Sequence, residues 1–194
     1  MTFRVRSGTK AIVKLRDITR HALRIISGGW GPKRPIQYGV LPFRVEPDGS
    51  VEVMLITTRG RKEWMIPKGW PIGGMTAPES AAREALEEAG LIGQPGGASL
   101  GSFEVHKRLR GRKRVPCEVQ VFPLLVDHQR ASWREKDERT TRWFSLSEAK
   151  AAVSSESLAA ILDRVRIETL LPVPSGDDQR RRSWRSFFKQ SGNS

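Results

Sequence analysis

The run REALEEAG, Arg83 to Gly90, constrains this chain more than any other stretch. If it is helical, Glu84, Glu87 and Glu88 stand at i, i+3 and i+4 and share one face. Ala82, Ala85, Leu86 and Ala89 fall on a different face, where small apolar side chains suit packing against a sheet. The flanks support a helix: Thr76 is placed as its N-cap, Pro78 suits the first turn, and Gly90 supplies the C-terminal stop. Three carboxylates this close repel one another unless a cation neutralises them. A hard divalent ion such as Mg2+ takes oxygen ligands and tolerates bound water, so it fits that need. Arg83, four residues before Glu87, is placed to orient it. The competing reading is an ordinary solvated helix, because Ala, Glu, Leu and Arg all favour helix. The preceding stretch PKGWPIGG, residues 67–74, weighs against that reading. Gly/Pro-rich loops of this kind let backbone groups approach a metal or phosphates closely.

The acidic helix sits in a basic chain, with 34 Lys and Arg against 21 Asp and Glu and a net charge of +13. The excess belongs to the ends. Residues 1–35 carry nine Lys/Arg and one Asp, and residues 175–194 carry five and two. Such arms predict weak, salt-sensitive contact with nucleic acid or another polyanion, or else serve only solubility. The expected organisation is a partly helical basic arm over 1–35, one domain over 36–172 and a basic tail over 173–194. At 194 residues and 38% hydrophobic, the chain supports one core. The single Cys117 excludes an internal disulfide and a Cys-based zinc site, and His21, His106 and His128 lack metal-ligand spacing. No run of about 18 apolar residues exists, so no membrane span is expected. The N-terminus is basic and acid-poor, in the manner of a mitochondrial transit peptide, but the plain reading of the cysteine usage is a reducing, cytoplasmic compartment.

Around the helix the pattern is mostly strand. Residues 37–45 and 51–58 alternate as strands about the turn EPDGS, and WMI at 64–66 is a short strand. After the helix, GQPGGAS at 93–99 reads as a loop. Residues 99–109 and 114–127 read as longer strands joined by a basic turn. A polar loop covers 127–140, a short strand follows at 141–146, and helices cover 145–153 and 156–171. Strands mixed with helices in this order predict an α+β or α/β domain with a mixed sheet.

The stretch from Gly69 resembles the sequence box of the Nudix hydrolases: G, five residues, E, seven residues, then R-E-U-x-E-E-x-G-U, with U aliphatic. Gly69 opens the box, and Arg83, Glu84, Ala85, Glu87, Glu88, Gly90 and Leu91 fill its second half in register. Five fixed identities arise in a random window with probability on the order of one in a million. One position departs, since Met75 stands where the family has its first glutamate, a residue that supports the loop–helix geometry. The resemblance implies an α/β/α sandwich around a mixed sheet. It also implies Mg2+, for which Mn2+ can substitute, held by Glu84 and Glu88 with the Lys68 backbone carbonyl. Glu87 is implied as the catalytic base or a further ligand, with Arg83 beside it, and pyrophosphate hydrolysis as the reaction.

Beyond the box, Thr57, Thr58, Arg59 and Trp64 are spaced as in the branch that acts on diphosphoinositol and diadenosine polyphosphates. The basic stretch 106–114 and Trp133, Glu135, Arg142, Trp143 and Phe144 look similar to that branch as well. An anionic polyphosphate needs cations beyond the metal. The expected substrate-binding residues are Thr57, Thr58, Arg59, Lys68, Gly69, Lys107, Arg108, Arg112 and Lys113. Glu135, Asp137 or Glu138 is expected to add an acidic group near the metal. Trp133, Trp143 and Phe144 are expected as core or loop anchors rather than base-stacking surfaces. Other readings within the class are a nucleotide-sugar, NADH-type or RNA 5′-end pyrophosphohydrolase. A reading of another class is a non-catalytic domain that senses a nucleotide or binds nucleic acid.

Overall fold

The computed structural model describes residues 34–108 and 114–170. Residues 1–33 of the basic arm, the tip residues Arg112 and Lys113, and the tail lie outside the described residues, and only the backbone of Arg108 is described. The strands are β1 (Ile36–Val45), β2 (Val51–Thr57), β3 (Trp64–Met65), β4 (Lys68–Gly69), β5 (Leu91–Pro95), β6 (Gly101–Arg108), β7 (Arg114–Gln129) and β8 (Thr141–Ser145). The helices are α1 (Ala77–Ala89), α2 (Leu146–Ala152), α3 (Glu156–Arg164) and α4 (Ile167–Leu170).

One mixed sheet joins all eight strands. Its spine runs β3-β2-β1-β7-β5, with β4 on β1, β6 on β7 and β8 on β2. The β1–β7 pair is parallel and the remaining strand pairs are antiparallel. Alternation along β1 divides the core, as a pleated strand requires. Leu41 and Phe43 point to one face, with Val53, Leu55, Val119 and Val121, and there meet Leu158, Ile161 and Leu162 of α3. Val40 points to the other face, with Met54, Ile56, Phe122 and Leu124, and meets Ala81, Ala82, Ala85, Leu86 and Ala89 of α1. The result is the expected α/β/α sandwich, with the sheet as its middle layer. Among the described residues no helix is long and apolar enough to cross a membrane.

Three expectations need correction. The PKGWPIGG stretch is not wholly loop: Lys68 and Gly69 pair with Gly39 and Tyr38 as β4. The loop expected at 93–99 begins too early, because Leu91–Pro95 pairs with the C-terminal half of β7. Gly93 pairs with Val126 in that strand, and glycine is needed there because a Cβ would collide with the Leu125 carbonyl oxygen. The last helix breaks into α3 and α4, with Val165 extended at φ −63°, ψ 131°.

Candidate active site

Helix α1 starts where the sequence places it. Thr76 is its N-cap, with Oγ1 accepting the Glu79 N–H at 3.4 Å while Glu79 Oε2 accepts the Thr76 N–H at 2.6 Å. This reciprocal box satisfies two donors that a helix start otherwise leaves unpaired. Ser80 Oγ accepts the Ile72 N–H at 3.1 Å, and Met75 N–H bonds the Ile72 carbonyl at 3.1 Å. The loop leading into the helix is therefore held by Thr76, Glu79 and Ser80, in a chain that has Met75 at the box's first acidic position. Gly90 ends the helix at φ 69°, a left-handed conformation that glycine adopts without strain. The Trp133 ring lies on it so closely that a Cβ at Gly90 would come within 2.6 Å.

The alanine face brings α1 close to the sheet, and this closeness places the glutamates. Glu84 lies against β4, where a Cβ on Gly69 would collide with its carboxylate. Gly69 thus leaves room for an acid that any larger residue would displace. Glu88 is buried, 6% exposed, and its Oε2 accepts the Lys68 backbone N–H at 3.0 Å. Its Oε1 accepts from Arg139. Burial pushes the Glu88 carboxyl up from its ordinary value, and the nearby Arg139 and Lys68 charges oppose the shift. Burial likewise lowers the Lys68 ammonium to about 8, with repulsion from Lys107 adding to the fall and Glu88 and Glu84 opposing it.

Glu87 turns another way. Its Oε1 accepts from Arg83 Nε at 3.1 Å and its Oε2 from Arg134 at 2.8 Å. The single face expected for the three glutamates is therefore divided: Glu84 and Glu88 face β4, and Glu87 faces two arginines. Among the described residues, no three His, Cys, Asp or Glu side chains gather closely enough to hold a metal ion. The donor chemistry still fits a hard divalent ion: two carboxylates at a β4 glycine, one of them buried, beside a backbone that admits close approach.

The other expected residues are placed as follows. Thr57 is buried, and its Oγ1 accepts the Thr140 N–H at 2.9 Å. Thr58 Oγ1 accepts the Glu63 N–H at 3.1 Å and closes the turn after β2. Arg59 pairs with Glu135, and its Nε lies 2.8 Å from Glu138. Lys107 is half-buried on β6, close enough to Lys68 to repel its charge. Glu135 is buried and Asp137 exposed. Burial alone would raise the Glu135 carboxyl, but Arg139 and Arg59 outweigh it and hold it below its ordinary value. Phe144 is core, edge-on to Trp64 at 5.0 Å between ring centroids, and Trp143 lies under Arg44. Sequence reasoning missed Arg139 and Arg134. Both lie in the segment 130–140, which docks on the end of α1 through Arg130 N–H to Gly90 O at 2.9 Å and Glu135 N–H to Glu87 O at 3.2 Å. No local signal marks them, because they act across a separation of roughly fifty residues.

Comparison with known proteins bears on the family and the fold. The model of the NUDIX domain matches residues 35–165. The chain belongs to the Nudix family. Nudix hydrolase 21, chloroplastic, of Arabidopsis thaliana is 35% identical over 65% of this chain and 65% of its own length. Thus the chain spans just under two thirds of that relative. Nudix hydrolase 17, mitochondrial, of the same plant is 33% identical over 68% of this chain and 73% of its own length. Among solved structures, the E. coli dihydroneopterin triphosphate pyrophosphohydrolase superposes with a TM-score of 0.52 at 22% identity, covering 70% of this chain and 97% of that one. That likeness speaks to the fold. The family expected from the box and the mixed-sheet sandwich expected from it are both borne out in this Nudix chain.

Proposed function

We propose that this Nudix chain is a Mg2+-dependent hydrolase that cleaves a pyrophosphate bond in a highly phosphorylated small molecule, such as a diphosphoinositol polyphosphate or a dinucleoside polyphosphate. The observation that carries this reading is the junction of α1 with β4. There Glu84 lies against Gly69 and Glu88 accepts the Lys68 N–H, beside the Lys68 and Lys107 ammonium groups. Carboxylates for a cation and ammoniums for phosphates thus stand side by side.

Glu84 and Glu88, with the Lys68 carbonyl, would hold the ion. When bound, Mg2+ supplies a Lewis acid for phosphate oxygens and lowers the pKa of a bound water. Glu87, oriented by Arg83 and Arg134, accepts the proton of the attacking water. The water oxygen bonds to phosphorus, the bridging P–O bond breaks, and the departing phosphate keeps the electron pair. Lys68, Lys107 and Arg59 neutralise the non-reacting phosphates, which lets a densely charged substrate settle beside acidic side chains. A second reading, a domain that binds a nucleotide without cleaving it, draws on Met75 in the box.

The test is product analysis by chromatography on a substrate panel: diadenosine polyphosphates, diphosphoinositol polyphosphates, ADP-ribose, NADH, nucleoside triphosphates and 5′-triphosphate RNA. Turnover that needs Mg2+ and is greatest on the first two classes is expected. Best turnover on ADP-ribose, NADH or RNA would move the chain to another substrate class. Binding without turnover would favour the second reading.

A further inference from the structure

Arg139 is a nearly enclosed cation at the candidate site, with its side chain 11% exposed. It donates in three directions. One terminal nitrogen meets Glu88 Oε1, Nε meets Glu135 Oε2 at 2.8 Å, and the other terminal nitrogen meets the Thr57 carbonyl at 2.9 Å. The acceptors come from α1, from the 130–140 segment and from the end of β2. A guanidinium is the side chain suited to this, because its donors form a rigid planar fork and its charge is permanent. The two carboxylates it bridges are buried, with side chains 8% exposed for Glu88 and 4% for Glu135. Buried carboxylates demand a cation, and removing one partner of such a pair is strongly destabilising.

Both oxygens of Glu88 are therefore engaged, Oε2 by a neutral backbone N–H and Oε1 by a charged guanidinium. An ion approaching Glu88 meets a resident cation already there. We infer that Arg139 is the internal counter-cation of the site, a positioning residue that grips Glu88 and yields part of that grip when a divalent ion binds. This rests on the reading of Glu88 as a metal ligand. It also accounts for the docking of the 130–140 segment, whose backbone is fixed on the end of α1 so that Arg139 can reach inward. A guanidinium and an ion sharing one carboxylate oxygen compete, so ion affinity and Arg139 are thermodynamically linked.

The experiment uses the full chain, with Arg139→Met and Arg139→Lys beside the wild type. Melting is followed in EDTA and in Mg2+, and Mn2+ affinity is measured by electron paramagnetic resonance. In EDTA the Met variant is expected to melt below the wild type, and Mg2+ is expected to recover much of the loss. Its Mn2+ affinity should be roughly three- to tenfold tighter, the outcome of removing a competitor. The Lys variant keeps a charge but loses the fork, and should fall between. Should the Met variant not fold, the Lys variant carries the comparison alone. Equal losses with and without Mg2+, together with Mn2+ affinity unchanged in either variant, would overturn the role assigned to Arg139. A wild type that neither binds Mn2+ nor melts higher with Mg2+ would overturn the metal reading itself and this inference with it.

Discussion

Helix α1 meets the sheet through Ala81, Ala82, Ala85 and Ala89, whereas α3 meets the opposite face through Leu158, Ile161 and Leu162. The alanine layer gives up apolar area, since burying a Leu or Ile side chain contributes about 1.5–3 kcal/mol and burying an alanine methyl contributes less. In return α1 lies near enough for Glu88 to reach the Lys68 N–H and for Glu84 to fill the space at Gly69. It is held instead by its capping box, by the Gly90–Trp133 contact and by arginines on its acidic face. The α3 layer is conventional core with no such constraint. One face of the sheet supplies stability, and the other sacrifices some of it for reach.

Predictions separate the two layers most sharply at Glu87. Glu87→Gln is expected to lower kcat/KM by roughly a thousandfold, about 4 kcal/mol of transition-state stabilisation, with little change in melting temperature. Steady-state kinetics beside a thermal melt would show it. Leu162→Ala should do the reverse, costing about 2–5 kcal/mol in a urea titration while leaving Mn2+ affinity unchanged. If the helix layers were equivalent, both substitutions would move both readouts.

Lys68 gives a pH prediction. Its ammonium is held near 8 in the fold against an ordinary 10.5, chiefly because burial disfavours the charge. A depressed lysine makes the folded state bind the proton less readily than the unfolded chain. At pH 7 both states are protonated, and the fold carries the full penalty. The penalty then disappears as pH rises from about 8 to 10.5. Lys68→Met should therefore stabilise the metal-free protein by roughly 1–3 kcal/mol at pH 7, with the difference shrinking across that window. Denaturant titrations at several pH values check this. The smallest effect is expected at the helix start, where Thr76→Ala removes one half of the capping box and costs about 1 kcal/mol.

What was legible in the sequence depended on how local the physics was. The start and stop of α1, its alanine face and the β1–β2 turn follow from capping, periodicity and turn chemistry, which act within a few residues. Strands β4 and β5 escaped because Lys68–Gly69 and Leu91–Pro95 are short and Gly/Pro-bearing, and only their partners on β1 and β7 make them strands. The three box glutamates were visible, but their division was not. Glu87 is turned by Arg134 and Glu88 by Arg139, and both arginines come from a polar loop whose docking on α1 leaves no periodic trace. Glu135 was named as one of three acids, and its burial against Arg139 and Arg59 distinguishes it from exposed Asp137.

The proposal that the acidic face of α1 serves polyphosphate hydrolysis with a divalent ion is open to one decisive test. The most direct measurement is turnover of a diadenosine polyphosphate and a diphosphoinositol polyphosphate, by wild type and Glu87→Gln, with Mg2+ and with EDTA. Turnover is expected to vanish in EDTA and to fall roughly a thousandfold in the folded variant. Turnover indifferent to both Mg2+ and Glu87, or none from a folded wild type that still binds the ligand, would contradict it.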